Sequence, residues 1–297
     1  MEVLRTPEER FIDVPDFDWA PNYVQDLPGF EGLRMHLVDE GPPRAEHTYL
    51  CLHGEPTWGF LYRKMIPALL EAGGRVVVPD FFGFGRSDKP VDDSVYTFDF
   101  HRNSLLALIR QRDLRNLTLV CQDWGGILGL TLPMEMPERF WRLLVMNTAL
   151  PTGEAPLPDG FLLWRDFVQR YPDFPIGELL ARAVPELSER ELAAYEAPFP
   201  DARYRAGLRR FPDLVPQYLY SPGAATCRRA RDWLRTRWMG LSFMAVGLRD
   251  PVLGAPVMRA LRTVIRGCPE PWEIEDAGHF AQEHGAEIVA RALATWE

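Results

Sequence analysis

Short apolar runs alternate with segments of helical spacing along most of the chain. His36-Leu37-Val38 leads to a turn at Glu40-Gly41-Pro42-Pro43, and Tyr49-Leu50-Cys51-Leu52 runs into His53-Gly54-Glu55-Pro56. Over residues 63–72, Met65, Ile66, Leu69 and Leu70 fall on one side, which predicts a helix stopped at Gly73-Gly74. Val76-Val77-Val78-Pro79-Asp80 predicts the next strand, and residues 98–112 an amphipathic helix. Residues 117–120, 143–146, 243–247 and 272–274 predict further strands, and residues 287–296 a closing helix.

Strands that are short and wholly apolar, with helices between them, predict a mostly parallel central sheet flanked by helices, an α/β fold. The alternation stops over residues 151–223, a stretch rich in proline, arginine and aromatics with no strand-like run. It predicts a helical cap laid over the sheet. The expected division is a core of residues 1–150 and 224–297, with residues 151–223 as the cap.

In an open parallel sheet, chemistry collects at the carboxyl ends of strands. The segments after the predicted strands are His53-Gly54-Glu55-Pro56, Gln122-Asp123-Trp124-Gly125-Gly126, Asn147, Arg249-Asp250-Pro251 and Asp276-Ala277-Gly278-His279-Phe280. Asp123, Asp250 and His279 thus appear as nucleophile, acid and base, the chain order of the α/β-hydrolase triad. Gly125 and Gly126 permit a tight strand-to-helix elbow, although Cys121 stands where a glycine is usual upstream.

A carboxylate at the elbow changes the reaction. Attack on an ester would give a high-energy anhydride, whereas attack on a saturated carbon bearing a good leaving group gives a plain ester. Asp123 therefore points to displacement at an alkyl halide or an epoxide. The competing reading is a helix N-cap. His279 would then activate water against that ester, with Asp250 holding the imidazole. The backbone N–H groups of Trp124 and Glu55 would form the oxyanion hole. The Glu55 side chain faces either a positioned water or a polar neighbour; the sequence leaves both open.

Bulk properties narrow the partners. The chain has 297 residues and a net charge of −9, so no basic surface recruits nucleic acid or an anionic membrane. No run of 18 apolar residues predicts a membrane span. The acidic N-terminal stretch lacks the apolar region of a secretion signal. Cys51, Cys121, Cys227 and Cys268 form no C-x-x-C pair and read as buried thiols in a reducing, cytoplasmic compartment. No apolar seam is evident, so a monomer is expected. The chemistry requires neither a metal nor an organic cofactor.

With these residues assembled, the chain resembles the haloalkane dehalogenases, a branch of the α/β-hydrolase fold. The likeness spans nearly the whole length. It rests on His53-Gly54-Glu55-Pro56-Thr57-Trp58, on residues 79–90 (Pro-Asp-Phe-Phe-Gly-Phe-Gly-Arg-Ser-Asp-Lys-Pro), on Gln122-Asp123-Trp124-Gly125-Gly126 and on Asp276-Ala277-Gly278-His279-Phe280. It implies the subfamily whose acid follows the seventh strand of the fold, here Asp250, with Asn147 where the sister subfamily has Glu. The resemblance implies that a halide ion binds between Trp124 and Trp164 and that a small halogenated alkane is the substrate. An indole N–H suits the halide role, since it donates a hydrogen bond and cannot titrate. Phe161, Phe211, Pro212, Val215, Val252, Phe280 and Ile127 fall where family members line the substrate cavity. Ile127 replaces an aromatic, and the stretch 151–160 is shorter than in close relatives; both bear on substrate size and access. An epoxide hydrolase is the nearest alternative, because cap tyrosines (Tyr171, Tyr195, Tyr204, Tyr218, Tyr220) could protonate a leaving alkoxide. A catalytically silent small-molecule receptor is the other.

Overall fold

The computed structural model describes residues 1–296. Ten strands and ten α-helices are formed among them. β1 (Val3–Leu4) pairs antiparallel with β6 (Lys89–Pro90) in a small separate sheet. The main sheet holds β2 (Asn22–Gln25), β3 (Arg34–Glu40), β4 (Thr48–Leu52), β5 (Arg75–Pro79), β7 (Leu117–Gln122), β8 (Phe140–Met146), β9 (Leu241–Gly247) and β10 (Trp272–Ile274). Their spatial order is β10-β9-β8-β7-β4-β5-β3-β2. The six strands from β5 to β10 in that order run parallel, while β3 runs antiparallel to both β2 and β5.

Every residue of β4 and β7 is buried, as the apolar runs predict for strands covered on both faces. The chain lays β5 to one side of β4 and β7 to the other. That reversal opens a crevice at the carboxyl ends of the two strands. The helices covering the sheet are α1 (Ile66–Glu71), α2 (Phe98–Gln111), α3 (Trp124–Gly129), α8 (Ala224–Thr236), α9 (Ala255–Val264) and α10 (Gly285–Trp296). The predicted helix over 63–72 is shorter than expected. Pro67 sits in the first turn of α1, where its missing N–H does no harm, and residues 63–65 form a turn before it rather than helix.

The strandless stretch folds as four helices: α4 (Asp159–Arg170), α5 (Ile176–Ala183), α6 (Glu189–Glu196) and α7 (Ala206–Leu214). They are tied to the sheet domain by a buried cluster. Arg63 is 2% exposed, and its Nη2 donates to Glu191 of α6 at 2.6 Å and to Glu283 at 2.7 Å. Its Nη1 donates to Glu283 at 2.8 Å and to Tyr195 Oη at 3.2 Å. Trp58 Nε1 adds a bond to the Ala194 carbonyl at 3.0 Å. Among the described residues, no helix is long and apolar enough to cross a membrane. All four cysteines are buried and unpaired, as expected.

Candidate active site

Asp123 closes β7 in a conformation that side chains rarely adopt, φ 48° and ψ −126°. Such strain persists only where the surroundings over-determine it. Here a β-carbon on Gly125 would lie 1.9 Å from the Leu52 carbonyl, and one on Gly126 would meet the Thr148 hydroxyl at 2.2 Å. The two glycines let the elbow seat against β4 and the strand-end loop. Thr148 Oγ1 then donates to the Asp123 carbonyl at 2.7 Å. Gly54 is needed for the same reason, since a β-carbon there would strike the Asp123 carboxylate.

The N-cap reading of Asp123 fails, because its side chain makes no capping bond to the helix that follows. One oxygen accepts the Glu55 N–H at 2.9 Å; the other lies 3.7 Å from His279 Nε2. Burial pushes the carboxyl up from its ordinary range. The charge of His279 and the N–H groups of Trp124 and Glu55 oppose that rise. The loop bearing Glu55 is held from below. His53 Nε2 accepts the Phe81 N–H at 3.0 Å, so Nδ1 carries the proton and donates to the Gly54 carbonyl at 2.9 Å.

His279 Nδ1 and Asp250 Oδ2 are 2.7 Å apart. Asp250 Oδ1 accepts the N–H groups of Val252 and Leu253 at 2.8 and 3.0 Å, and Asn147 Nδ2 reaches Oδ2 at 2.9 Å. Burial would raise this carboxyl, but the charge and hydrogen bond of His279 and those two N–H groups outweigh it and hold it at about 2. Asp250 is thus an anion that orients an imidazole. Burial alone would make His279 a weaker base. The charge and hydrogen bond of Asp250, with the charge of Asp123, instead lift it to about 9.

These groups open onto a cavity of about 650 Å³. Trp124, Trp164, Phe161, Pro212, Val215, Val252, Phe280 and Ile127 all line it, as the sequence predicted. Phe211 does not. It is fully buried behind the site, with its ring edge-on to the Trp124 indole at 4.6 Å. Its neighbour Pro212 takes the cavity-facing position on α7. Trp164 Nε1 donates to Glu55 Oε2 at 3.2 Å, so the Glu55 side chain has a polar neighbour in the cap. Sequence reasoning missed the Gln122 amide as a partner of His279 Nε2, at 2.8 Å, and Asn147 as the brace of Asp250. It also missed how far the cavity runs between the 149–158 loop and α9, past Val257 and Leu261. Its place directly before Asp123 was the available signal for Gln122.

A carboxylate at a strained elbow, an imidazole facing it and an apolar cavity above a mostly parallel sheet define an α/β hydrolase. Residues 50–286 match the family described as the alpha/beta hydrolase fold. The chain is 43% identical to a haloalkane dehalogenase of Psychrobacter cryohalolentis, over 99% of this chain and 97% of that protein. It is 38% identical to one from Mycolicibacterium paratuberculosis, over 100% and 99%. Among solved structures it is similar to the tetrameric haloalkane dehalogenase DpaA from Paraglaciecola agarilytica, with a TM-score of 0.97 and 52% identity over 99% of both chains. The chain belongs to the haloalkane dehalogenase family within the α/β hydrolases.

Proposed function

We propose that the chain hydrolyses small haloalkanes to a primary alcohol, a halide ion and a proton, with Asp123, His279 and Asp250 as its triad. Asp123 attacks the carbon that bears the halogen. The new C–O bond forms as the carbon–halogen bond breaks, and the halide leaves with the bonding pair. Trp124 and Trp164 receive it; by analogy with an oxyanion-hole donor, losing either raises the barrier by roughly 3 kcal/mol. His279 next takes a proton from water, whose oxygen adds to the carboxyl carbon of the alkyl ester. The N–H groups of Glu55 and Trp124 hold the oxyanion. Collapse expels the alkoxide, which takes the proton from His279 and departs as alcohol, and the Asp123 carboxyl then gives up its proton to solvent to restore the carboxylate.

The observation that carries this reading is the division of labour at Asp123: one oxygen sits on a backbone N–H, the other faces an imidazole that Asp250 holds. The test is a single turnover of 1,2-dibromoethane in heavy-oxygen water. Label must enter the Asp123 carboxylate before the alcohol; label in the alcohol alone overturns the reading. The epoxide alternative loses the cap tyrosines it relied on, because none of them is among the described residues lining the cavity. A silent receptor has no use for the assembled triad.

Residues 151–223 serve as the cap and the remainder as the core, a division supported by the four consecutive strandless helices. Unpaired buried cysteines favour a reducing, cytoplasmic setting. The expected monomer gains no support. DpaA is described as tetrameric, and Leu163 and Phe167 on α4, with Tyr171 just after it, leave an exposed apolar stripe. A homo-oligomer is the better reading, tested by light scattering.

A further inference from the structure

Glu55 has two ends with different occupations. Its backbone N–H is spent on the nucleophile. Its side chain turns into the cavity, where the residue is only 6% exposed. Oε2 holds the Trp164 N–H, and Oε1 is buried with no hydrogen-bond partner. The indole proton offered to a departing halide is therefore already engaged by a carboxyl group. An indole has one N–H and cannot serve two anions at full strength.

The groups around this carboxyl favour its neutral form. Asp123 faces it from the elbow; His279 and Asp250 line the same cavity from the loops after β10 and β9. Arg231, on the far wall, is paired with Glu154. No arginine or lysine bonds Glu55 among the described residues. Burial first, and the Asp123 charge second, push the Glu55 carboxyl well above the ordinary carboxylate range, against the smaller pull of Trp164.

Resting on the reading of Trp124 and Trp164 as halide donors, we propose that Glu55 is a third member of the anion subsite. As a neutral acid it turns its O–H on the halide; ionised, it keeps the Trp164 N–H for itself and excludes the halide. Halide binding then takes up one proton wherever Glu55 is ionised in the free protein.

The test is bromide binding, read by tryptophan fluorescence from roughly pH 6 to pH 10. It is run in the His279→Gln background, so that the imidazole does not titrate. There the bromide Kd should weaken about tenfold per pH unit above the Glu55 titration. Adding Glu55→Gln, a neutral donor of similar size, should keep tight binding and flatten the profile. Calorimetry in two buffers of different ionisation heat should also show one proton taken up per bromide on the alkaline limb, with no need for the second variant. An unchanged profile in Glu55→Gln, or no proton uptake, overturns the inference while leaving the two indoles in place. If Trp164→Phe binds bromide as well as the parent, the subsite itself is misassigned and both readings fall.

Discussion

The amide nitrogen of Gln122 stands 2.8 Å from Nε2 of His279, on the side of the ring that faces Asp123. That amide nitrogen also donates to the His279 carbonyl at 3.1 Å, and its other N–H finds an acceptor at the ring only where Nε2 carries a lone pair. The bond from Nδ1–H to Asp250 fixes the complementary tautomer. Gln122 thus favours the neutral imidazole, against two carboxylates that favour the charged one.

Replacing Gln122 with Met keeps the volume and removes that donor. The acid limb of kcat, where His279 becomes protonated, should move to higher pH by about one unit, and activity at neutral pH should drop about tenfold. A kcat–pH profile reads this directly. An unshifted limb with lower activity would mean that Gln122 only fills space.

His279→Gln should release one halide per active site and then stall, with the alkyl group retained on Asp123 and visible in the intact-protein mass. Removing a general base commonly lowers turnover by about 100-fold or more. Asp123→Ala should release no halide at all.

The two half-reactions should separate with pH. In the free protein His279 is held at about 9, partly by the charge of Asp123. Alkylation turns that carboxylate into a neutral ester, so the working base titrates below its value in the free protein. Steady-state turnover needs neutral His279 and falls as the pH drops below that lower value. The halide burst needs only ionised Asp123, and rapid-quench halide release should show it persisting to lower pH.

Asp123→Asn should raise the melting temperature near pH 8. The Asp123 carboxyl is raised on folding, so its ionised form is less favourable in the fold than in the unfolded chain. A neutral amide relieves that penalty. The gain is of the size usual when a strained functional site is relaxed, about 0.5–2 kcal/mol. It should vanish at acid pH, where Asp123 is protonated in both states. Calorimetry at the two pH values decides the matter.

Asp123 and Asp250 were legible because each follows a strand of mostly apolar, buried residues, whereas the strand before His279 is the short, half-buried Trp272-Glu273-Ile274 and that histidine stood out by its Asp276-Ala277-Gly278-His279-Phe280 surroundings. The loops after β7, β9 and β10 could therefore be located without coordinates. β2 was not legible. Its four residues are of mixed polarity and gain a partner only from β3. Phe211 looked like a cavity residue because aromatic side chains on a cap helix have no marked direction in sequence. The facing Trp124 ring decides that direction. The Glu55–Trp164 bond joins residues 109 positions apart on β4's loop and α4, and no local pattern encodes such a pairing.

Arg63 carries one positive charge between a carboxylate of the lid helices and another four residues beyond His279. Parting the lid from the sheet takes Glu191 away and leaves the buried guanidinium with Glu283 alone, an imbalance larger than the loss of a surface pair. The lid cannot come loose as an independent flap without exposing that imbalance. Heating should therefore melt lid and sheet in a single calorimetric endotherm, and the catalytic loop should stay protected from proteases for as long as the lid does.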